Sequence, residues 1–348
     1  MRQRFVFMLG AIIALMLLTF TLSGRTSIPV AQAAQTWDVQ VGGDLEEENI
    51  AVNAFLPSSV TVGVGDSVRW TLATQPKAHS VTFLAGAPRP ADFVPGPGPG
   101  ELSPGPGGGP AGPRGPNAAY DGSGLAGSGR LDAPNASPYS LTFTQAGVYD
   151  YICTFHPGMN GVIEVLPTNG ALAETPTQAQ GRGQSQFDSL VTQLRTNLQT
   201  VHSAHAEAPG AAGVQTVIAG LSTAAGRGNA GGASALQFLP GELNVRRGDL
   251  IVWTVADPLE IHTVTFASAE PPPFADVMIQ PGGPPVVIIR AAQAQGTGGT
   301  TFTGEGYVNS GILSPGDSFA LYVDAPAGSY QYACLVHPNM KGQLLVTE

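Results

Sequence analysis

Lysine is almost missing from this chain: Lys77 and Lys341 are its only two, against a formal net charge of -10 over 348 residues. With so little basic surface, nothing equips the protein to track a phosphate backbone, and nucleic acid is excluded as a partner. Cysteine is equally scarce. Two residues, Cys153 and Cys334, rule out the multi-bridge framework of small exported domains and leave at most one disulfide. Long apolar runs are also rare. The one that stands out, Phe5 to Leu22, follows Arg2 and Arg4 and precedes Ala31-Gln32-Ala33. A basic region, an apolar core and a small-x-small site predict a secretory signal over residues 1–33, cleaved after Ala33, and hence a periplasmic, cell-surface or extracellular protein. The run is about 18 residues, the lower edge of a bilayer span, so an uncleaved N-terminal membrane anchor is the alternative. No cysteine lies near the leader, which excludes lipid attachment there.

Both cysteines fall in one motif, written twice. Cys153-Thr154-Phe155-His156-Pro157-Gly158-Met159 recurs as Cys334-Leu335-Val336-His337-Pro338-Asn339-Met340, each with tyrosines four and two residues upstream (Tyr149 and Tyr151; Tyr330 and Tyr332). Gly65-Asp66, Trp70 and His79 recur 183 residues later as Gly248-Asp249, Trp253 and His262, and the cysteine motifs lie 181 apart. Self-similarity on this scale means two copies of one domain. The predicted organisation is a first domain over 35–167, a linker over 168–213 and a second domain over 214–348. Gln35-Thr36-Trp37 and Gln215-Thr216-Val217 look like matching starts.

Within each copy, short alternating segments are punctuated by glycine and proline. Val60 to Val62, Ser67 to Thr71 and His79 to Phe83 read as strands, and Gly63 to Asp66 as a turn, which points to an all-β sandwich. On the last strand Tyr149, Tyr151 and Cys153 share one face, expected to be the inner one. Residues 86–129 are dominated by proline and glycine, which predicts a long mobile surface loop. The corresponding insert, about 270–306, keeps Pro271-Pro272-Pro273 but carries an apolar run, Val286 to Ile289, and is expected to be better ordered. In the linker, Phe187, Leu190, Val191, Leu194, Leu198 and Val201 fall at helical spacing. They predict a helix over about 185–206, roughly 33 Å long. His202 and His205 end it, either as a weak metal pair or as solvated residues favoured by the helix dipole. The acidic run Asp44-Leu45-Glu46-Glu47-Glu48 is expected to be a solvated loop.

A thiolate, an imidazole and a thioether within seven residues form a soft ligand set. With a second histidine upstream, His79 or His262, the set suits copper held by one Cys, two His and a weak axial Met. A Cys153–Cys334 disulfide is the competing reading of the cysteines, and it leaves both His/Met constellations unused. Pro157 and Pro338 restrict the histidines before them to extended conformations, which holds His156 and His337 in place. On these residues both halves resemble the cupredoxins, the plastocyanin, pseudoazurin and amicyanin family of blue-copper proteins. The His-Pro-x-Met spacing is similar to the amicyanin ligand loop. The resemblance implies two Greek-key cupredoxin β-sandwich domains and two type 1 coppers per chain. The implied ligands are His79, Cys153, His156 and Met159, then His262, Cys334, His337 and Met340. It also implies an apolar surface patch around the second histidine through which electrons leave. Ser80 and Thr263 depart from the asparagine the family often carries after the first histidine. The loops before Cys153 and Cys334 are longer than in small cupredoxins, so the copper end is expected to be partly covered.

Tandem cupredoxin domains also occur in two-domain copper oxidoreductases, whose further copper centres need histidines beside the type 1 cysteine. Here Ile152 and Thr154 flank one cysteine and Ala333 and Leu335 the other. Of six histidines, only His202 and His205 lie outside the two sets. The expectation is an electron carrier rather than an enzyme, serving a redox donor and acceptor, with a copper-storage module as the alternative. Leu335-Val336 in place of Thr154-Phe155 predicts two different reduction potentials.

Overall fold

The computed structural model describes residues 33–74, 78–105, 110–113, 115, 117–133, 135–167, 172–207, 213–223, 231–278 and 286–348. The predicted leader, Lys77 and parts of the Pro/Gly-rich insert and linker lie outside the described residues. Residues 33–348 form one compact unit, mostly β with one long helix.

Each half is built from two facing sheets. In the first, Thr36–Leu45 runs antiparallel to Ile50–Leu56 and parallel to Ser67–Leu72, which pairs with Tyr139–Phe143. The facing sheet sets Ser59–Gly63 parallel to Asn160–Leu166, then Gly147–Ile152 and Thr82–Phe83 antiparallel. The second half repeats these pairings. Val214–Ser222 lies against Gly231–Leu239 and Leu250–Val255, and Glu242–Arg246 lies parallel to Lys341–Thr347. Alternation buries one face of strands such as Ser59–Gly63 and Asn160–Leu166, whereas Ile50–Leu56 is buried on both, and the aromatic core is duplicated. Trp70 meets Tyr151 edge-on at 5.4 Å, as Trp253 meets Tyr332 at 5.5 Å. The repeated Gly-Asp pair is a turn whose glycine has φ of +96° or +98°, a conformation that disfavours a Cβ. The aspartate accepts the backbone N–H three residues earlier, from Gly63 or Arg246.

Register corrects one sequence match. Val39 pairs with Trp70 and Val217 with Trp253, so Val217 is the counterpart of Val39. The Gln-Thr echo at 35–37 and 215–217 is therefore two residues out of step.

The two halves are not beads on a string. Gly231–Leu239 pairs antiparallel with Ile50–Leu56, Gly231 opposite Ala54 and Ala235 opposite Ile50, which fuses one sheet of each half into a ten-stranded sheet. The helix Pro176–Glu207 covers that seam, its Val191 and Leu194 packed on Ile50, Val52, Ala54, Ala233 and Ala235. It starts earlier than the apolar spacing indicates because Thr175 caps it. Gln178 Oε1 accepts the Thr175 N–H at 2.8 Å, and the Gln178 N–H donates to Thr175 Oγ1 at 3.3 Å. With Pro176 in the first turn, this is a capping box. Glu48 is not merely solvated: it forms an ion pair with Arg195 of the helix, at 2.9 Å from Nε.

The described part of the Pro/Gly-rich insert is likewise paired, which corrects the expectation of a mobile loop. Phe93–Pro95 pairs with Leu102–Pro104. Leu102 and Ile289 of the second insert exchange backbone hydrogen bonds at 3.0 and 2.8 Å, and Arg290 reaches Glu101 at 2.7 Å. A segment too poor in apolar residues to fold alone is held here by the other half of the chain.

Candidate metal centres

Each cysteine directly follows the strand that carries the tyrosines, Gly147–Ile152 or Gly328–Ala333, and a short backbone-bonded loop brings back the histidine and methionine of the motif. The Cys153 N–H donates to Met159 O and the Met159 N–H to His156 O, at 2.9 and 3.2 Å. The second loop repeats this, Cys334 to Met340 and Met340 to His337, both at 2.9 Å. The cysteine and methionine of each set are buried in their own core. His79 and His262 lie just before Thr82–Phe83 and Thr265–Ala267, the strands that pair with the cysteine strands in the same sheet, at 3 % and 0 % exposure. His156 and His337 are nearly buried as well.

The structure brings His79, Cys153 and His156 together, and separately His262, Cys334 and His337, with candidate ligand atoms within 4.8 Å of one another. His79 Nδ1 lies 3.9 Å from Cys153 Sγ and His156 Nδ1 3.4 Å from it. The second site has 4.0 Å for His262 and 3.6 Å for His337. Nitrogen and sulfur ligands about 2.0 and 2.3 Å from one ion at trigonal angles stand about 3.7 Å apart, and the four separations bracket that value. All four imidazoles present the same nitrogen, Nδ1. His262 Nε2 has no hydrogen-bond partner, consistent with Nδ1 as the working atom. Burial pushes both thiols up in pKa, but the adjacent histidines, His156 and His337 foremost, hold them well below the usual range. Thiolate, the form that binds metal, is therefore favoured. Against burial, the neighbouring Cys334 and Glu260 raise the His337 imidazole to about 10. Both cysteines are free thiols, each within its own His set, so the disulfide alternative is not what the chain adopts.

At Ser80 and Thr263, the positions that depart from asparagine, hydroxyls bond the cysteine loops. Ser80 Oγ accepts the Thr154 N–H at 2.9 Å, and Thr263 Oγ1 accepts the Leu335 N–H at 2.8 Å. This ties the histidine strand to the cysteine loop. The backbone N–H groups of Ser80 and Thr263 point at the sulfurs, at 3.5 and 3.4 Å. The first site has additional contacts. Thr154 Oγ1 meets Ser80 Oγ at 2.9 Å, and Arg89 donates to the carbonyls of Cys153 and Thr154 at 3.2 and 3.1 Å.

Sequence reasoning missed two glycines. Each first strand bulges, at Gly42 and at Gly220, where φ is +67° and +73°. A Cβ there would stand 2.5 Å from His79 Nε2 or 2.2 Å from His262 Nε2, so the bulge makes room for the ligand ring. A Gly42-Gly43 run inside an apolar strand was the available signal.

The outer edges of both sites face one cavity of about 660 Å³. Its walls include His156, His337 and Glu260, with Phe93 and Ile289 from the two inserts, so the predicted covering of the copper end is present. The expected apolar patch around His156 and His337 is not on the outer surface; both rings face the seam, with 13 % and 12 % of their side chains exposed. His202 is exposed, and among the described residues the only candidate metal groups are the two already given.

Fold and ligand set together define a β-sandwich metal-binding protein with a duplicated Cys, His₂, Met site. Residues 44–166 match the family described as "Copper binding proteins, plastocyanin/azurin family", and the second half, outside that match, repeats the same strand pairings and His-Cys-His group. Amicyanin of Paracoccus denitrificans is 43% identical over 53 residues, which is 14% of this chain and 40% of amicyanin. Less than half of that relative's length is therefore matched. Among solved structures, the Cu(I) form of an amicyanin mutant is similar with 19% identity and a TM-score of 0.23, covering 40% of this chain and 87% of that one. The oxidized state of another amicyanin mutant gives the same figures. The donor set at each site, one thiolate, two imidazoles and a thioether, fits a type 1 copper.

Proposed function

We propose that the protein is an exported electron carrier with one type 1 copper in each of its two domains. The observation that carries this reading is the pair of buried sets, His79, Cys153, His156, Met159 and His262, Cys334, His337, Met340, held by backbone bonds and core packing. Copper, when bound, supplies a one-electron couple at each site. The chain's own part is to keep the ligands still: the C-x-x-H-P-x-M loops close on themselves, Ser80 and Thr263 clamp them, and the cores exclude water. A site that does not rearrange between oxidation states exchanges electrons with little reorganisation. A storage site has no need of such rigidity.

The test is purified, copper-loaded mature protein with copper counted per chain. An intense visible thiolate-to-Cu(II) band at two coppers per chain, bleached and restored by one electron per copper, is expected. Protein that binds copper but stays colourless after oxidation would overturn the carrier in favour of the storage module. Export is tested by sequencing the N-terminus of the protein isolated from outside the cytoplasm, which is expected to begin at Ala34. An intact Met1 would favour the membrane anchor.

A further inference from the structure

One acidic side chain lies between the two centres, and nothing in the ligand motif calls for it. Glu260 is 8 % exposed. Its Oε2 stands 3.4 Å from His337 Nε2 and its Oε1 3.7 Å from His156 Nε2. Asn53 Nδ2, from the seam strand of the first half, donates to Oε1 at 2.7 Å. A buried carboxylate is costly unless it is paired, and here its partners come from three places: the seam strand and both ligand loops. Since Nδ1 of each histidine faces its sulfur, Nε2 is the nitrogen left to carry the proton. A carboxylate acceptor at Nε2 fixes that tautomer and the plane of the ring. The device is single: the offset that relates His79 to His262 puts Lys77 opposite Glu260.

We propose that Glu260 is a positioning residue that couples the two copper centres, one carboxylate orienting both outward histidines and linking them across the seam. This rests on the electron-carrier reading. The step it serves is a one-electron exchange. One site is oxidised, the other reduced, no bond is broken, and both Nε2 protons stay where they are. The ligand loops are locked for this purpose: the Gly231 N–H donates to Gly158 O at 3.1 Å, so the first loop is bonded to the second half. Beside both rings, the negative charge favours the oxidised form at each site and lowers both potentials.

The test compares Glu260→Gln, of equal size but uncharged, with Glu260→Leu, which has no acceptor. Three readouts apply: the potential of each couple, the rate of electron exchange between sites after pulsed reduction, and the histidine Nε2–H signals by ¹H–¹⁵N NMR of the Cu(I) protein. Glu260→Gln is expected to shift both couples upward by about tenfold in their oxidised-to-reduced ratio, which is about 59 mV for one electron. Glu260→Leu is expected to slow the exchange by about tenfold or more and to lose the slowly exchanging Nε2–H signals of His156 and His337. If the leucine variant does not fold, the glutamine variant decides alone. Unchanged potentials in Glu260→Gln, on a protein whose two couples are intact, overturn the coupling and leave the carrier reading standing. A wild-type protein with no redox couple refutes both together.

Discussion

Gly220→Ala should damage the second copper site more than its size suggests. Gly220 has φ of +73°, and an L residue in the left-handed region costs about 1–2 kcal/mol. The lost freedom of the unfolded glycine returns about 0.4–1 kcal/mol. The added methyl carbon would stand 2.2 Å from Nε2 and 2.9 Å from Cε1 of His262, a ring with 0 % exposure. With no solvent to swing into, the ring must leave its rotamer or the strand must move, and such overpacking costs about 1–3 kcal/mol. The net destabilisation is about 1–5 kcal/mol, and it falls on a copper ligand. Gly248→Ala is the matched control: φ is +98° and nothing lies within 4 Å of the new Cβ, so it carries the backbone strain without the collision. The assay is thermal melting with the visible spectrum of each site followed separately. Gly220→Ala should lose or distort the second site's band and melt below Gly248→Ala, while the first site keeps its band. Gly42→Ala, with a 2.5 Å contact to His79, should do the same at the first site. If Gly220→Ala and Gly248→Ala share one spectrum and one melting temperature, the argument that the bulge exists to admit the ligand ring is wrong.

Two further outcomes follow from the surroundings of the sulfurs. Ser80→Ala and Thr263→Val each remove the acceptor of a loop N–H, Thr154 or Leu335. Each should cost about 1–3 kcal/mol, read as a lower midpoint in urea. Arg89→Gln removes a cation from the Cys153 and Thr154 carbonyls. A positive charge favours the reduced state, so the first couple should fall, by at most about 59 mV given the partial exposure of the guanidinium, and the second should not move. A shift of both couples alike would mean that Arg89 acts through the seam and not on its own site.

The ligands were legible because they are local and repeated. Cys153, His156 and Met159 share one turn, and Cys334, His337 and Met340 repeat it, so spacing carried that part of the chemistry, while His79 and His262, 74 and 72 residues before the cysteines, came from the repeat and the resemblance. The sandwich was legible for a similar reason, since alternation within Ser67 to Thr71 needs no knowledge of what lies opposite. What escaped depends on partners distant in sequence. Glu260 sits in an unremarked Leu-Glu-Ile stretch and gains its role from His156 and Asn53, more than a hundred residues away. The Pro/Gly-rich insert looked loose because its hydrogen-bond partner, Ile289, belongs to the other half. The helix start was present as Thr175-Pro176-Thr177-Gln178, but Gly181 and Gly183 broke the apolar rhythm that the spacing argument follows. Gly183 is there because the helix crosses Leu56 and Pro57 so closely that a Cβ would stand 2.7 Å from the Pro57 nitrogen.

The central claim is that two redox coppers face each other within one unit, and electron paramagnetic resonance of the fully oxidised protein tests it most directly. Cys153→Ser and Cys334→Ser, each leaving one type 1 site, supply the single-site spectra. The spectrum of the two-copper protein is expected to differ from their sum, broadened by the interaction of two Cu(II) spins across Glu260. A spectrum equal to the sum of the two single-site spectra would contradict the account, because it would place the coppers too far apart to share one carboxylate.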